Sequence, residues 1–304
     1  MWPFASLVAA MVFTGANVPI GKAIVSELAV YPFLAIRFAI ASAALLAISS
    51  SDERRDAVRI ARQFPVTLLL LSLVGSVLFT VLMMEGTKRT SAVNAGIVAA
   101  TLPAVVAVIA VVVLRHKLTL SAIICIALSV AGIGIIQAAA TGDGAAAAGA
   151  VTAGLAGNAL VFAAVVCEAV FVAASRGIAS RLSAIALSLA VSVASLAFSI
   201  PVLVWSFDAA ALANVSGGVM GLVVWYALSS SVFCTILWYL GARTAPTWQA
   251  GLATAAIPLT AVVVSATWLG ESLSFAQVAG GTLVIAAILA GALIGSSSPD
   301  RQRP

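Results

Sequence analysis

A single carboxyl, Glu168, stands near the centre of the otherwise apolar run Phe162–Arg176, FAAVVCEAVFVAASR. An acid at the centre of a bilayer costs about 2.5–3.5 kcal/mol on insertion scales, so it must face a protein interior, carry a proton or pair with a base. The chemistry open to it is contact with a substrate amine or proton coupling. The structural alternative is a carboxyl hydrogen-bonded between helices. Asn17, two residues before Pro19, is the matching polar signal near the N-terminus. A proline inside a helix frees the carbonyl four residues back, here that of Gly15. At helical spacing Thr14, Asn17 and Gly21 share one face, as Glu168, Phe171 and Ser175 share another. Such faces either line a central cavity or act as polar glue between helices.

Pro103 and Pro258 also interrupt apolar runs, releasing the carbonyls of Ala99 and Thr254. With Pro19 they are gating hinges or static bends. Thr101 and Thr254, close to these prolines, join the cavity candidates. Asn94 and Gln249 each stand near the start of a run, at the outer and the inner side of the membrane respectively, and, with Trp248, are candidate gates. Trp225, Ser229, Val232, Ile236 and Tyr239 share a face of one run, and Phe79 and Met83 share a face of another. Aromatic and methionine surfaces suit apolar or aromatic solutes and repack easily. For Trp238 and Tyr239 the alternative is an interfacial belt. Arg37 could bind a carboxylate, but the stronger reading is a side chain that snorkels or holds a helix end.

Other chemistry is excluded by what the sequence lacks. Cys125, Cys167 and Cys234 all lie in apolar runs and read as small buried hydrophobes. The one histidine, His116, sits in a loop, and no metal-ligand spacing occurs, so no metal or cofactor is expected. There is no G-x-x-x-x-G-K-[ST] loop for a nucleotide, so any uphill work draws on a gradient. An intramembrane enzyme needs histidine, paired acids or a Ser–His set at depth, and none is present.

The elements that position these residues follow from composition. The 304-residue chain is 63% hydrophobic and 8% charged, against about 25% charged in an ordinary soluble domain. A helix needs about 20 apolar residues to cross the hydrocarbon core. Ten stretches qualify: 3–23, 33–50, 65–85, 92–114, 118–138, 156–175, 184–206, 216–241, 246–269 and 275–295. Strands are excluded because the runs are long, lack a period of two, and would leave an open sheet edge in lipid. The longest loop is Ser51–Gln63, and a Gly- and Ala-rich linker covers 141–154. With the N-terminus in the cytoplasm, the inner loops and tail hold Arg54, Arg55, Arg59, Arg62, Arg115, Lys117, Arg176, Arg181, Arg243, Arg301 and Arg303. The outer side holds only Lys22, Lys88 and Arg89. This bias sets both termini inside, and basic residues confined to short loops do not form a nucleic-acid face.

The chain also repeats itself. GTKRTSAVNAGIVAATLPAVVAVIAVVVLRHKLTL from Gly86 aligns without a gap with GARTAPTWQAGLATAAIPLTAVVVSATWLGESLSF from Gly241, at an offset of 155. Ala95-Gly96 meets Ala250-Gly251, Pro103 meets Pro258, and Leu114 and Leu118 meet Leu269 and Leu273. Upstream, Lys22 falls opposite Arg176 at an offset of 154. Residues 1–140 and 155–296 are then two five-helix units, followed by a polar tail at 297–304. Five is odd, so the second copy enters the membrane from the opposite side, an inverted repeat of the kind that places a substrate site near the midplane.

Gly15-Ala16-Asn17, Arg37-Phe38, the Ala-Gly…Pro spacing of the fourth and ninth helices, and Leu269-Gly270-Glu271-Ser272-Leu273 resemble the drug/metabolite transporter superfamily in its ten-helix form with two EamA-type repeats. The first half departs from that pattern, with Arg115-His116-Lys117 where the second has Gly-Glu-Ser. The resemblance implies a small-molecule carrier of the bacterial inner membrane, commonly an exporter of amino acids or other metabolites. Within the superfamily the chain resembles the YddG-type exporters of aromatic and several other amino acids. The alternative is another solute, such as a purine, drug or sugar conjugate; a phosphate-rich one is disfavoured by the scarcity of basic residues at depth. Partners are then the lipid bilayer and the solute. The GxxxG spacings at Gly217–Gly221 and Gly291–Gly295 read as close packing within a monomer.

Overall fold

The computed structural model describes residues 2–89, 98–99, 101–113, 115, 119–139, 150–206, 215–268 and 274–297. All regular structure among them is helical, as a chain embedded in lipid requires, because a helix satisfies its backbone within its own segment. The helices are α1 (Trp2–Val25), α2 (Val30–Ile48), α3 (Ser51–Gln63), α4 (Pro65–Leu69, Leu70–Leu78 and Phe79–Arg89 in one run), α5 (Leu102–Val112) and α6 (Leu120–Ala139). The second half contributes α7 (Ala150–Ala179), α8 (Ala184–Ser206), α9 (Gly217–Leu228, Ser229–Phe233 and Cys234–Ala242 in one run), α10 (Thr247–Ala253), α11 (Ala256–Trp268) and α12 (Phe275–Ser297).

Seven of the described helices are long and apolar enough to cross a membrane, and Leu102–Val112 and Leu120–Ile136 are shorter apolar helices. Val112, Val204 and Leu289 point outward at 70%, 72% and 60% exposure. Side chains of this kind spread around a molecule suit lipid and would aggregate a protein in water. This is a multi-pass membrane protein.

Inside, α1 packs on α9 and α11, and α7 packs on α4 and α5. Further pairs are α2 with α8, α2 with α9, α4 with α8, α5 with α10, and α6 with α12. The α6–α12 seam is a backbone crossing: a Cβ on Gly132 would lie 2.7 Å from the carbonyl oxygen of Gly280, and one on Gly280 would lie 2.6 Å from that of Gly132. Small residues at such crossings let helices approach in lipid, where no hydrophobic force drives them together.

Three features differ from the sequence expectation. Ser51–Gln63 is a helix rather than a loop. Ser50 and Glu53 form a capping box, and the helix buries Ala57 and Ile60 where it packs on α8. Pro103 and Pro258 do not kink continuous helices; each sits in the first turn of a new one, where a missing N–H costs nothing. Before Pro258 the chain tightens, with Thr254 N donating to Gly251 O at 3.2 Å and Ile257 N to Thr254 O at 3.1 Å. Third, α4 and α9 each carry a π-helical segment, Leu70–Leu78 and Ser229–Phe233, a wider turn often found at functional sites.

Candidate functional site

The π segment of α9 gathers the polar atoms of the bundle. Its wide turn presents three consecutive serines to two different helices. Asn17 Nδ2 on α1 donates to Ser229 Oγ at 2.8 Å. Arg37 on α2 donates from Nε to Ser231 Oγ at 2.7 Å and from Nη2 to Ser230 Oγ at 3.2 Å. The guanidinium carbon lies 4.9 Å from the Phe38 ring centre and 5.0 Å from that of Tyr226. One turn on, Cys234 Sγ lies 3.2 Å from Thr14 Oγ1 and 3.2 Å from the Ala10 carbonyl oxygen.

Glu168 approaches from α7. It shares a face with Val161, Ala164, Val165, Val172 and Ser175, each no more than 2% exposed, while Phe162 on the far side is 48% exposed. Its side chain therefore points into the bundle. Glu168 itself is half-buried. Among the described residues it makes no hydrogen bond and no ion pair.

Towards the C-terminal end of α9 the space is closed by rings. Phe171 lies 5.9 Å from Trp238 and 6.3 Å from Tyr239, centre to centre. Trp238 Nε1 donates to Ser175 Oγ at 3.0 Å. The Tyr239 hydroxyl is buried and has no hydrogen-bond partner among the described residues. Behind Phe171 stands the π segment of α4, where a Cβ on Gly75 would come within 2.6 Å of Phe171 Cβ. Towards the other end of α9, Phe33 meets Tyr226 edge to face at 5.1 Å. The two ring clusters lie on either side of the serine segment of α9.

Of the candidates named from sequence, Asn17 meets Ser229, Thr14 meets Cys234 on the same helix, and Phe171, one turn from Glu168, meets Tyr239. Trp225 turns outward at 52% exposure while Ser229 and Tyr239 are buried. Phe79 and Met83 are half-buried on α4, and Trp248 is half-buried on α10. Thr101 and Thr254 bond back to their own chain, to Val98 O and Gly251 O, both at 2.6 Å. Gln249 donates to Gly291 O at 2.8 Å. Pro19 sits within α1, which continues through it. Asn94 and the Leu269–Leu273 turn lie outside the described residues.

Arg37 and Trp238 carry more here than their sequence readings gave them. Arg37 neither snorkels nor caps a helix; its head turns inward to the serines. Trp238 is 1% exposed rather than part of a belt. The available signal was the charge within α2 and the triple serine of α9. A separate groove of about 440 Å³ between α5 and α6, lined by residues such as Ala104, Ala107, Ile123 and Ile126, contains no titratable side chain and suits lipid tails.

Two clasps outside the hydrocarbon depth tie the halves together. The Glu27 carboxylate accepts from Ser216 N, at the start of α9, at 3.0 Å, and this bond holds it below the usual carboxylate range. Glu53 accepts from Ser183 Oγ at 2.8 Å. The Ser50 backbone N–H and then the Ser183 hydroxyl hold its carboxyl below that range too.

Known proteins share this pattern. The model of the EamA-like transporter family matches the chain twice, at residues 1–137 and 155–291. An uncharacterized transporter, YetK, of Bacillus subtilis (strain 168) is 30% identical over 305 residues, covering 99% of this chain and 89% of that one. A solved crystal structure, described only as that of a protein, has the same fold, with a TM-score of 0.73 and 17% identity across 96% of this chain and 98% of that one.

Proposed function

The chain belongs to the EamA-like transporter family, and from that premise we propose that it exports amino acids, aromatic and other neutral ones, by alternating access between two inverted five-helix repeats. The observation that carries the reading is Glu168, an inward-facing carboxyl with no protein partner among the described residues, set beside the rings of Phe171, Trp238 and Tyr239. A cationic amine answers the carboxyl, and an aromatic or aliphatic side chain answers the rings.

Support for the repeat comes from packing. When the second half is laid on the first, α1 on α9 and α11 becomes α7 on α4 and α5. The pairs α2–α8 and α6–α12 map onto themselves, and α2–α9 becomes α8–α4. The π segment Ser229–Phe233 falls on residues 74–78 of the other π segment at the offset of 155. Gly86 lies against Val161 and Gly241 against Leu7, and Leu7 and Val161 are counterparts at an offset of 154. Odd spans per unit then turn the copies upside down. Both termini lie in the cytoplasm of a bacterial cell, since the arginine-rich side is the inner one.

In this reading the solute binds midway along α9, next to Glu168. Tyr226 and Tyr239 stand 13 residues apart on that helix, about 20 Å along its axis. The Phe33–Tyr226 contact closes the outer half and the Phe171–Trp238–Tyr239 contact the inner half. Rocking of the repeats separates one cluster while the other holds. The restarts before Pro103 and Pro258, and Pro19 within α1, supply the flexure.

Counterflow of labelled phenylalanine in proteoliposomes tests the reading. Wild type exchanges it saturably, and Glu168→Gln slows the exchange by about tenfold or more, the loss expected for a hydrogen bond to a charged group. Exchange of purines or sugar conjugates with no exchange of any amino acid overturns the substrate assignment. An unaltered pH profile in Glu168→Gln excludes proton coupling through this residue.

A further inference from the structure

The geometry points to Arg37 as the carboxylate-binding residue of the site, so that Arg37 and Glu168 together select solutes bearing both an anionic and a cationic group. The inference rests on the carrier reading above and names the chemistry of its substrate.

A guanidinium has five N–H donors in a fixed plane. Here two nitrogens are engaged, Nε by Ser231 and Nη2 by Ser230. Both bonds are to neutral hydroxyls, and no carboxylate pairs with Arg37 among the described residues. Phe38 and Tyr226 approach within about 5 Å of the guanidinium carbon. Contact at that range favours the cation and restricts access to its faces. What remains open is the in-plane edge carried by Nη1 and the second hydrogen of Nη2. That edge matches two oxygens on one carbon, the fork-to-fork contact in which arginine surpasses lysine.

Position adds a second argument. Arg37 shares the buried face of α2 with Val30, Phe33, Leu34 and Ala41, yet is itself half-buried. Like Glu168, it faces inward. Arg37 bonds Ser231, and Phe171, one turn from Glu168, meets the ring of Trp238, seven residues further along α9, so both charges approach the same stretch of that helix. Neither has an oppositely charged partner among the described residues, and a buried charge without its counterpart is costly. A zwitterion entering between them answers both at once. An amine alone leaves the guanidinium unanswered, and an acid alone leaves the carboxylate.

A structural anchor, holding α2 to α9, makes the same serine bonds, so the test must read selectivity rather than rate. In counterflow of labelled phenylalanine by wild type, unlabelled phenylalanine competes at least about tenfold better than phenylalaninamide, which lacks the carboxylate, the factor expected for a charge-assisted bond. It also outcompetes 3-phenylpropionate, which lacks the amine. In Arg37→Gln the acid-to-amide preference falls to within about twofold, and Arg37→Lys, a point charge without the fork, keeps an intermediate preference. Ser231→Ala, which frees the guanidinium while keeping its charge, lowers the preference if Arg37→Gln does not fold. Equal competition by acid and amide in wild type, or an unchanged preference in Arg37→Gln, refutes the inference. Should wild type exchange no amino acid, thermal protection of the purified protein by 3-phenylpropionate, present in wild type and absent in Arg37→Gln, retains the role of Arg37 and rejects only the amino acid reading. Absence of protection by any carboxylate then rejects both.

Discussion

Tyr239→Phe separates the stability of the empty protein from its turnover. Tyr239 is fully buried, and its hydroxyl finds no hydrogen-bond partner among the described residues. A buried polar group left unsatisfied costs about 1–3 kcal/mol. The ring contact with Phe171, 6.3 Å between centres, survives removal of one oxygen. The substitution therefore stabilises the unliganded protein by about 1–3 kcal/mol. Its neighbour has the opposite sign. Trp238→Phe breaks the indole bond to Ser175 at 3.0 Å, worth about 1 kcal/mol, and opens a void in a position that is 1% exposed, which adds a cavity penalty. Thermal unfolding followed by intrinsic fluorescence in one detergent, with both variants beside wild type, measures the contrast. A melting temperature for Tyr239→Phe below that of wild type refutes the reasoning, because it means the hydroxyl is bonded in the resting state. If that hydroxyl is held open for the solute or for Glu168, Tyr239→Phe also exchanges phenylalanine more slowly while being the more stable protein, the trade-off expected where a site keeps unsatisfied groups.

The helix crossings, the polar pairs and the Glu53 clasp each give a measurable outcome. Gly86→Ala and Gly241→Ala both bring a Cβ into contact nearer than 3 Å and each destabilises the fold by about 1–3 kcal/mol. Gly134→Ala, where a Cβ meets nothing within 4 Å, is neutral or stabilising, and equal melting temperatures across the three variants would contradict the symmetric crossings. In a double-mutant cycle, Asn17→Ala and Ser229→Ala couple by about 1 kcal/mol through their 2.8 Å bond, and strict additivity would deny that bond any energetic role. Glu53 has a carboxyl depressed in the folded state by Ser50 and Ser183, so its contribution is full above the unfolded carboxylate range and fades as pH falls through the lower folded value. The melting-temperature gap between wild type and Glu53→Gln should accordingly shrink on acidification, and a gap that widens would reverse the sign of the assignment.

Much of the site was legible in one dimension because lipid makes polar residues conspicuous. Glu168 and Asn17 stood out as polar groups in apolar runs, and helical spacing put Thr14 with Asn17 and Phe171 with Glu168. The role of Arg37 was not legible, since its direction depends on serines 193 and 194 residues away in the chain. Trp225 shows the converse. Its spacing to Ser229 and Tyr239 suits one face of an α-helix, yet Trp225 is 52% exposed while both of them are buried, because the neighbours that cover a face of α9 change along its length.

The sequence by itself determined that this chain lives in a bilayer, that its regular structure is helical, and that one residue pattern recurs in both halves. Those properties follow from composition, from the thickness of the hydrocarbon core and from residue identities at a fixed offset, all of which are local or additive along the chain. Only the tertiary structure decided which polar groups meet: Asn17 with Ser229, Arg37 with Ser230 and Ser231, Trp238 with Ser175. Those pairings depend on helix rotation and on backbone approach at glycines such as Gly75 and Gly241, and in lipid both are set by the shape of neighbouring helices rather than by hydrophobicity, which is nearly uniform around each one.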